Sequence, residues 1–355
     1  MILENKTILV TGGTGSLGKV LVRRLISEDN EHGTPKKVIV MSRDEGKQHN
    51  MRLSFTKNKS VTEEVIYSNF QKFLEFRIGD VRDFGDVNSA VRDADIIINA
   101  AALKQVPTCE YFPEQAVKTN VIGASNIIKA INQNPGRVET LVGISTDKAA
   151  KPINVMGMTK AIQERIFLSA NILNPQTRSI CVRYGNVLAS RGSVIPLFHH
   201  QIQTKGPITV TSPDMTRFLL TLNQAVDTIF EAISISKPGE ILVPNAPSVN
   251  IMNVAKIFAD DAKIDIEVVG IRPGEKLHEI MVSEEESYMT IKKGDYYAIQ
   301  SMLPELYSQE QKNDLDGEFS SADSILDLNG TRELLKENNL LPGMDNPDIS
   351  GEMIA

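Results

Sequence analysis

In the stretch Ser145–Lys160, STDKAAKPINVMGMTK, a hydroxyl, a carboxylate and an amine stand side by side as Thr146, Asp147 and Lys148. Adjacent acid and base groups can move protons at one reacting centre. An amine of lowered pKa removes a proton beside a carbonyl, and a carboxyl of raised pKa delivers one to a departing hydroxyl. Lys160 closes the stretch, and four residues before it stands Met156, whose thioether can do no acid–base chemistry. Either the chain has lost its activity, or proton traffic runs through other residues, of which Thr146, Asp147 and Lys148 are the nearest.

A second chemical motif precedes it in ILVTGGTGSLGK. Gly12, Gly15 and Gly18, with Thr14, Ser16 and Leu17 between them, form a turn from an apolar strand into an amphipathic helix. Missing side chains there let backbone N–H groups at a helix N-terminus approach a pyrophosphate. The next strand ends in VIVMSRDEGK, where Ser42 and Arg43 stand in place of the carboxylate that would accept from NAD ribose hydroxyls. Arg43 and Lys47 can hold a 2′-phosphate, which points to NADP over NAD. Asp44 and Glu45 lie beside them, so a solvated charged loop is the plain alternative. Asp80 and Val81 fall where an adenine would lie, and Ala100–Ala102 offer small residues for the nicotinamide ribose.

These motifs need a sheet to hold them. Short apolar runs at Thr7–Thr11, Lys37–Met41, Leu74–Ile78, Asp95–Ala100, Thr140–Ile144 and Ser179–Arg183 alternate with helical patterns at Gly18–Ser27, Val87–Arg92, Pro113–Asn132 and Met156–Asn174. Such alternation predicts an α/β fold, a Rossmann-type doubly wound parallel sheet with its ligand crevice at the carboxyl ends of the strands. Glu31–Lys36 and Thr56–Asn69 read as loop insertions. After about Tyr184 the pattern breaks into Pro- and Gly-punctuated pieces, so residues 1–184 form the dinucleotide-binding domain and 185–330 mainly a smaller substrate-binding region. Residues 331–355 read as a C-terminal helix and a flexible tail.

The 355 residues, 41% of them hydrophobic, suffice for a self-supporting core, and two cysteines without CxxC spacing point to free thiols in a reducing compartment. A net charge of -7 argues against a nucleic-acid surface. No long apolar run suggests secretion or a membrane span, which makes the cytoplasm the default. Five histidines without HExxH spacing give no catalytic metal site, and His199 and His200 read as helix surface or interface.

Taken together, TGGTGSLG, SRDEGKQ, GDVRD, AAALKQVPTCEYFP, KTNVIG, STDKAAKPINVMGMTK, RYGNVLASRGSVIPLF, DMTRF and RPGEKLHE resemble the extended short-chain dehydrogenases/reductases. More narrowly, they resemble the UDP-N-acetylglucosamine 4,6-dehydratases of bacterial capsule and flagellin sugar synthesis. The resemblance implies that a hydride leaves C4, a proton leaves C5 as the C6 hydroxyl departs, and the hydride returns to C6. In that scheme Lys148 is the base at C5 and Asp147 the acid at C6. Thr146 bonds the 4-hydroxyl, and Lys160 orients the nicotinamide ribose. Met156 occupies the position of the usual tyrosine and shapes the pocket beside the nicotinamide, or packs as an ordinary helix residue. Asp147, Lys148 or a water then takes the 4-hydroxyl proton.

By the same resemblance Lys104 lies near the cofactor and sugar, Ala101 by the nicotinamide, and Asn186, Arg191, Ser193, Arg217 and Arg272 hold the UDP moiety. Dimers or larger rings are implied, built on the helices carrying KTNVIG and MGMTK. Inversion at C5 is favoured over retention. The rivals are a sugar-nucleotide C4 epimerase or reductase, and a non-catalytic NADP-binding regulator.

Overall fold

A parallel strand buried on both faces must be largely apolar, and of the runs noted above all but Leu74–Ile78, which carries Glu75 and Arg77, meet that requirement. In the computed structural model, which describes residues 1–27, 30–56, 73–188, 193–307 and 313–344, they form β1 (Thr7–Thr11), β2 (Lys37–Ser42), β3 (Leu74–Ile78), β4 (Ile96–Asn99), β5 (Thr140–Ile144) and β6 (Arg178–Val182). The expected strands differ from these by a residue or so at their ends. β1, β4 and β5 are buried throughout, or nearly so.

The nine-stranded sheet runs in the order Thr290–Lys293, Tyr296–Ile299, Ile241–Pro244, β6, β5, β4, β1, β2, β3. β1 pairs in parallel with β2 on one side and β4 on the other. Strand order reverses at β1, so the crevice of a doubly wound sheet opens where β1 and β4 end. Ile241–Pro244 extends the parallel part from β6, and the last two strands add an antiparallel edge.

Two differences from the expected elements have physical causes. Glu45–Thr56 is a helix where a charged loop was the plain alternative; its sequence EGKQHNMRLSFT lacks an apolar stripe, and Gln48 and Met51 are the side chains it buries deeply. The expected helix Pro113–Asn132 divides into Pro113–Ala116, a π-helical turn Val117–Ile122, and Gly123–Gln133. Of the expected insertions, Glu31–Lys36 is irregular as far as the start of β2. The second lies outside the described residues beyond Thr56, as does the tail beyond residue 344.

A second apolar cluster, separate from the one around the sheet, gathers Leu188, Ile195, Phe198, Val249, Phe258 and Leu335 with their neighbours. Among the described residues no helix is long and apolar enough to cross a membrane, and no group of His, Cys, Asp or Glu is placed to hold a metal. Both cysteines are buried and free.

The core also contains an ion cluster. Arg183, just past β6, gives Nε and Nη2 to Glu164 at 3.0 and 2.7 Å, and Nη1 and Nη2 to Glu286 at 2.7 and 3.0 Å. Its remaining proton goes to the Met281 carbonyl at 2.8 Å. All five donors of the guanidinium are satisfied. Burial alone would lower its pKa, but the two carboxylates hold it well above the ordinary arginine value. Breaking such a cluster strands a charge. Arg183→Ala is therefore expected to cost about 3–5 kcal/mol, read as a lowered denaturant midpoint. Replacing Arg183, Glu164 and Glu286 together by apolar residues of similar volume should cost much less.

Candidate active site

The first wall of the crevice is the glycine turn. Gly12 has φ 68°, and a Cβ there would come within 2.7 Å of the Ala101 backbone, so the turns after β1 and β4 touch through it. A Cβ on Gly18 would overlap Gly13 at 2.5 Å. Gly15 is different. It is exposed, and a Cβ there would meet only the Gly12 carbonyl, at 3.4 Å. Protein packing does not demand a glycine at this position, whereas close approach of a ligand does. Gly15 begins the helix α1 (Ser16–Leu25) without a side-chain cap, and the first turn carries no acidic residue. That end suits a phosphate, and the set fits a dinucleotide.

At the end of β2 the Ser42 hydroxyl accepts from Gln48 Nε2 at 3.0 Å. Arg43 lies 3.9 Å from Asp80, whose carboxylate takes two shorter bonds, 2.8 and 2.6 Å, from Arg82. Although partial burial alone would raise it, these arginines hold Asp80 below the usual carboxylate pKa. Lys47 pairs with Asp44 at 3.3 Å. Val81 is buried, with Asn126 bonded to its carbonyl at 3.0 Å.

The proton-handling wall is the loop after β5. Ser145 N–H donates to Val182 and Asp147 N–H to Tyr184, so the loop lies along the chain leaving β6. Thr146 gives its hydroxyl to Asp147 Oδ1 at 2.8 Å, and Lys148 Nζ donates to the same oxygen at 3.0 Å. The expected trio is therefore in mutual contact. Asp147 is 0% exposed and Lys148 21%. The other Asp147 oxygen, Oδ2, is buried without a partner among the described residues.

Behind this loop stands the long helix Val155–Leu173, and a Cβ on Gly157 would lie 2.2 Å from the Lys148 carbonyl oxygen. The PINVMG stretch needs its glycine for that close packing. Asn154 caps the helix through Gly157 N–H at 2.8 Å, and Glu110 accepts the Val155 N–H at 2.7 Å. Asn120, in the π-helical turn, clamps the loop after β4 by bonding both polar groups of Leu103, at 2.8 and 3.0 Å. It also donates to Thr159 at 3.0 Å. Sequence reasoning assigned these four residues no role, although each lies in a quoted motif.

Lys148 departs from the amine of lowered pKa that a base calls for. Burial alone would lower it, but Asp147 and Glu279 outweigh that and hold its pKa above the ordinary lysine value. Lys160 shows the opposite balance. Buried with Nζ on the Ile144 carbonyl at 2.5 Å and Gln163 at 2.9 Å, it is pushed down to about 8 by burial. Met156 is buried against Cys109 and Ala116. Lys104 is exposed on the loop before helix Val106–Tyr111.

The expected substrate residues divide. Asn186 Oδ1 and Ser193 Oγ are buried without partners among the described residues. Arg217 spends its donors on the carbonyls of Thr216, Leu277 and Lys276. Arg272 stands on an exposed turn with Glu275 at 3.9 Å. Arg191 lies outside the described residues. His199 bonds the Leu340 carbonyl at 3.0 Å, and His200 is exposed.

A family model described as polysaccharide biosynthesis protein matches residues 8–301. A UDP-glucose 4-epimerase of Rickettsia bellii (strain OSU 85-389) is 40% identical over 299 residues, 83% of each chain. Among solved structures, Pen from Bacillus thuringiensis is similar at 34% identity and a TM-score of 0.84, covering 96% of this chain and 100% of that one. A dTDP-glucose 4,6-dehydratase from Streptomyces venezuelae, solved with NAD and TYD bound, shares the fold. Its TM-score is 0.66 at 20% identity, over 76% of this chain and 86% of that one.

The Lys160 environment gives a stability test. Its folded pKa of about 8 lies below the ordinary 10.5, so the unfolded chain holds more protons between those values. Stability contributed by this group is low below about pH 8 and rises towards pH 10.5. Lys160→Met should therefore raise the denaturant midpoint at pH 7, and its advantage over the wild type should shrink as pH rises through that window. An advantage independent of pH would contradict the assignment.

Proposed function

The chain belongs to the polysaccharide biosynthesis protein family, and from that premise we propose that it removes water from UDP-N-acetylglucosamine, leaving a UDP-4-keto-6-deoxy sugar. The observation that carries this reading is the contact of hydroxyl, carboxylate and amine at Thr146, Asp147 and Lys148, with a buried Asp147 oxygen left open. Gly12, Thr14, Gly15, Ser16, Leu17 and Gly18 would cradle the pyrophosphate of a nicotinamide dinucleotide. Ser42, Arg43, Lys47, Asp80 and Val81 would hold its adenosine end, and Ala101, Lys104, Met156 and Lys160 its nicotinamide side. Bound there, the cofactor supplies a reversible hydride acceptor. NADP is favoured because Arg82 already satisfies Asp80, which leaves Arg43 a weak 3.9 Å contact that a 2′-phosphate can replace.

Proton accounting supports Asp147 as the relay. Oxidation at C4 releases a hydroxyl proton, and departure of the C6 oxygen as water consumes one. A single carboxylate that accepts first and donates second serves both steps, so Asp147 can begin ionised. Lys148 takes the C5 proton and, for inversion, returns one to the opposite face once the intermediate has turned over beside it. Asn186 and Ser193 offer the polar atoms still lacking partners to the UDP-sugar. The segments around the second apolar cluster form the sugar-nucleotide lobe.

The name of the Rickettsia relative supports a second reading, C4 epimerisation. That reaction needs no proton transfer at C5 or C6, which leaves Lys148 without its task as the C5 base.

Incubation with UDP-N-acetylglucosamine in deuterated water, followed by proton NMR, separates these readings. The expected product is an L-arabino 4-ketose with deuterium at C5 and no C6 oxygen; a D-xylo product overturns the inversion, and a product retaining its C6 oxygen overturns the dehydration. Lys148→Ala should abolish C5 exchange, and Asp147→Asn should slow turnover by about 10²–10⁴-fold, the usual worth of general acid–base catalysis. Mass spectrometry of nucleotide released from the purified protein should find NADP; NAD in its place removes the role given to Arg43.

Homodimers are part of this proposal. Val117, Ile122, Met158 and Ile162 are exposed on the two helical segments concerned, and sedimentation at micromolar concentration should give a dimer or a multiple of it. A monomer would remove this part.

A further inference from the structure

Beside the trio lies a fourth ionisable group, brought from the other side of the crevice by the segment that follows the Arg272 turn. Glu279 has a side chain 3% exposed, and its Oε1 sits 3.1 Å from Lys148 Nζ. The same oxygen lies 3.7 Å from Arg217 Nε. Its backbone is fixed: the N–H donates to Ser321 Oγ at 2.9 Å, and its carbonyl accepts from Ser321 N–H at 2.8 Å. Its other oxygen, Oε2, is buried and without a partner among the described residues. A buried carboxylate half of whose acceptor capacity is unused differs sharply from the saturated Arg183 cluster, where every guanidinium donor is taken.

We propose that Glu279 is the proton partner of Lys148, a positioning residue that takes a proton from the ammonium so that the free amine can act as a base, and then gives it back. The transfer balances. One N–H bond of Lys148 breaks and one O–H bond forms on Glu279 Oε1, turning ammonium and carboxylate into amine and carboxylic acid. Lys148 then accepts the C5 proton and releases one to carbon, and the carboxyl proton returns to nitrogen. Asp147 stays free for the hydroxyl protons at C4 and C6. With Asp147 engaged at the hydroxyls, Glu279 is the remaining carboxylate in contact with Lys148 that can take the ammonium proton.

The charged groups that bear on this pair are Asp147, Glu279, Arg217 and Lys276. Lys276 donates to the Ala150 carbonyl at 2.6 Å, on the same loop as Lys148, and burial pushes its pKa down. The two lysines are thus shifted in opposite directions by one neighbourhood, and the direct carboxylate contacts of Lys148 account for the difference.

The inference rests on the dehydratase reading for its catalytic part alone, so the experiment has two arms. In protein labelled with ¹³C at the lysine ε-carbons, the Lys148 signal, identified by its loss in Lys148→Arg, is titrated without substrate in wild type and Glu279→Gln. The expected result is a Lys148 midpoint at least half a pH unit lower in the variant; an unchanged midpoint overturns the proposal. With substrate in deuterated water, Glu279→Gln should lower the rate of C5 exchange about 10²-fold or more, while KM changes less than about threefold and the pH optimum moves. Full exchange activity in the variant also overturns it. Should wild type exchange nothing, the dehydratase reading fails and the titration still judges the Lys148–Glu279 pair. Should Glu279→Gln not fold, Glu279→Asp serves, with a Lys148 midpoint near that of wild type and C5 exchange slowed at least tenfold by the shortened reach. A displaced midpoint or wild-type exchange in that variant overturns the proposal.

Discussion

The ammonium of Lys148 lies between Asp147, from its own loop, and Glu279, from a segment on the far side of the crevice. Two carboxylates and an amine largely withdrawn from water hold one another, because separating any of them leaves a charge without its partner. Much else is arranged around that contact. The loop after β5 is tied along the chain leaving β6, the long helix approaches without a side chain at Gly157, and Arg217 binds the carbonyls of Thr216, Lys276 and Leu277 beside Glu279. The sheet brings the parts close, and the ion contact fixes how they face one another.

Two buried charge clusters in one chain invite comparison. Around Arg183 every guanidinium donor has an acceptor, and Ser145 adds a hydroxyl to Glu164 at 2.5 Å. A fully satisfied network rigidifies the structure and offers nothing to a ligand. Around Lys148, by contrast, each carboxylate keeps one buried oxygen without a partner among the described residues. Ser145 and Thr146 are adjacent in the chain, so the closed cluster supports the loop on which the open one is displayed.

The sheet was legible because parallel strands buried on both faces are largely apolar runs, and β1, β2, β4, β5 and β6 fall on such runs, while the edge strand β3 interleaves Glu75 and Arg77 with its apolar residues. The glycine turn was legible for a similar reason, since backbone contact at Gly12 and Gly18 admits no side chain. What escaped had no local signature. The helix Glu45–Thr56 presents polar residues on most of its faces and buries a glutamine. The strands of the second region are mostly two to five residues long, too short for periodicity to register. Thr146, Asp147 and Lys148 could be read as a group because they are consecutive. Glu279 could not, because its relation to Lys148 exists only after the chain has returned across the crevice, and the direction of the Lys148 shift depends on that return.

The π-helical turn at Val117–Ile122 has a geometric effect of its own. An α-helix advances about 100° per residue, so one additional residue in a turn rotates everything after it by about that angle relative to everything before it. The segment from Pro113 to Gln133 therefore does not follow a single helical wheel. It turns Asn120 inward to hold Leu103 and Thr159, while Val117 and Ile122 on either side remain exposed. The extra residue lets one continuous rod present a polar clamp to the crevice and an apolar face to its surroundings, two orientations that regular winding would bring into conflict.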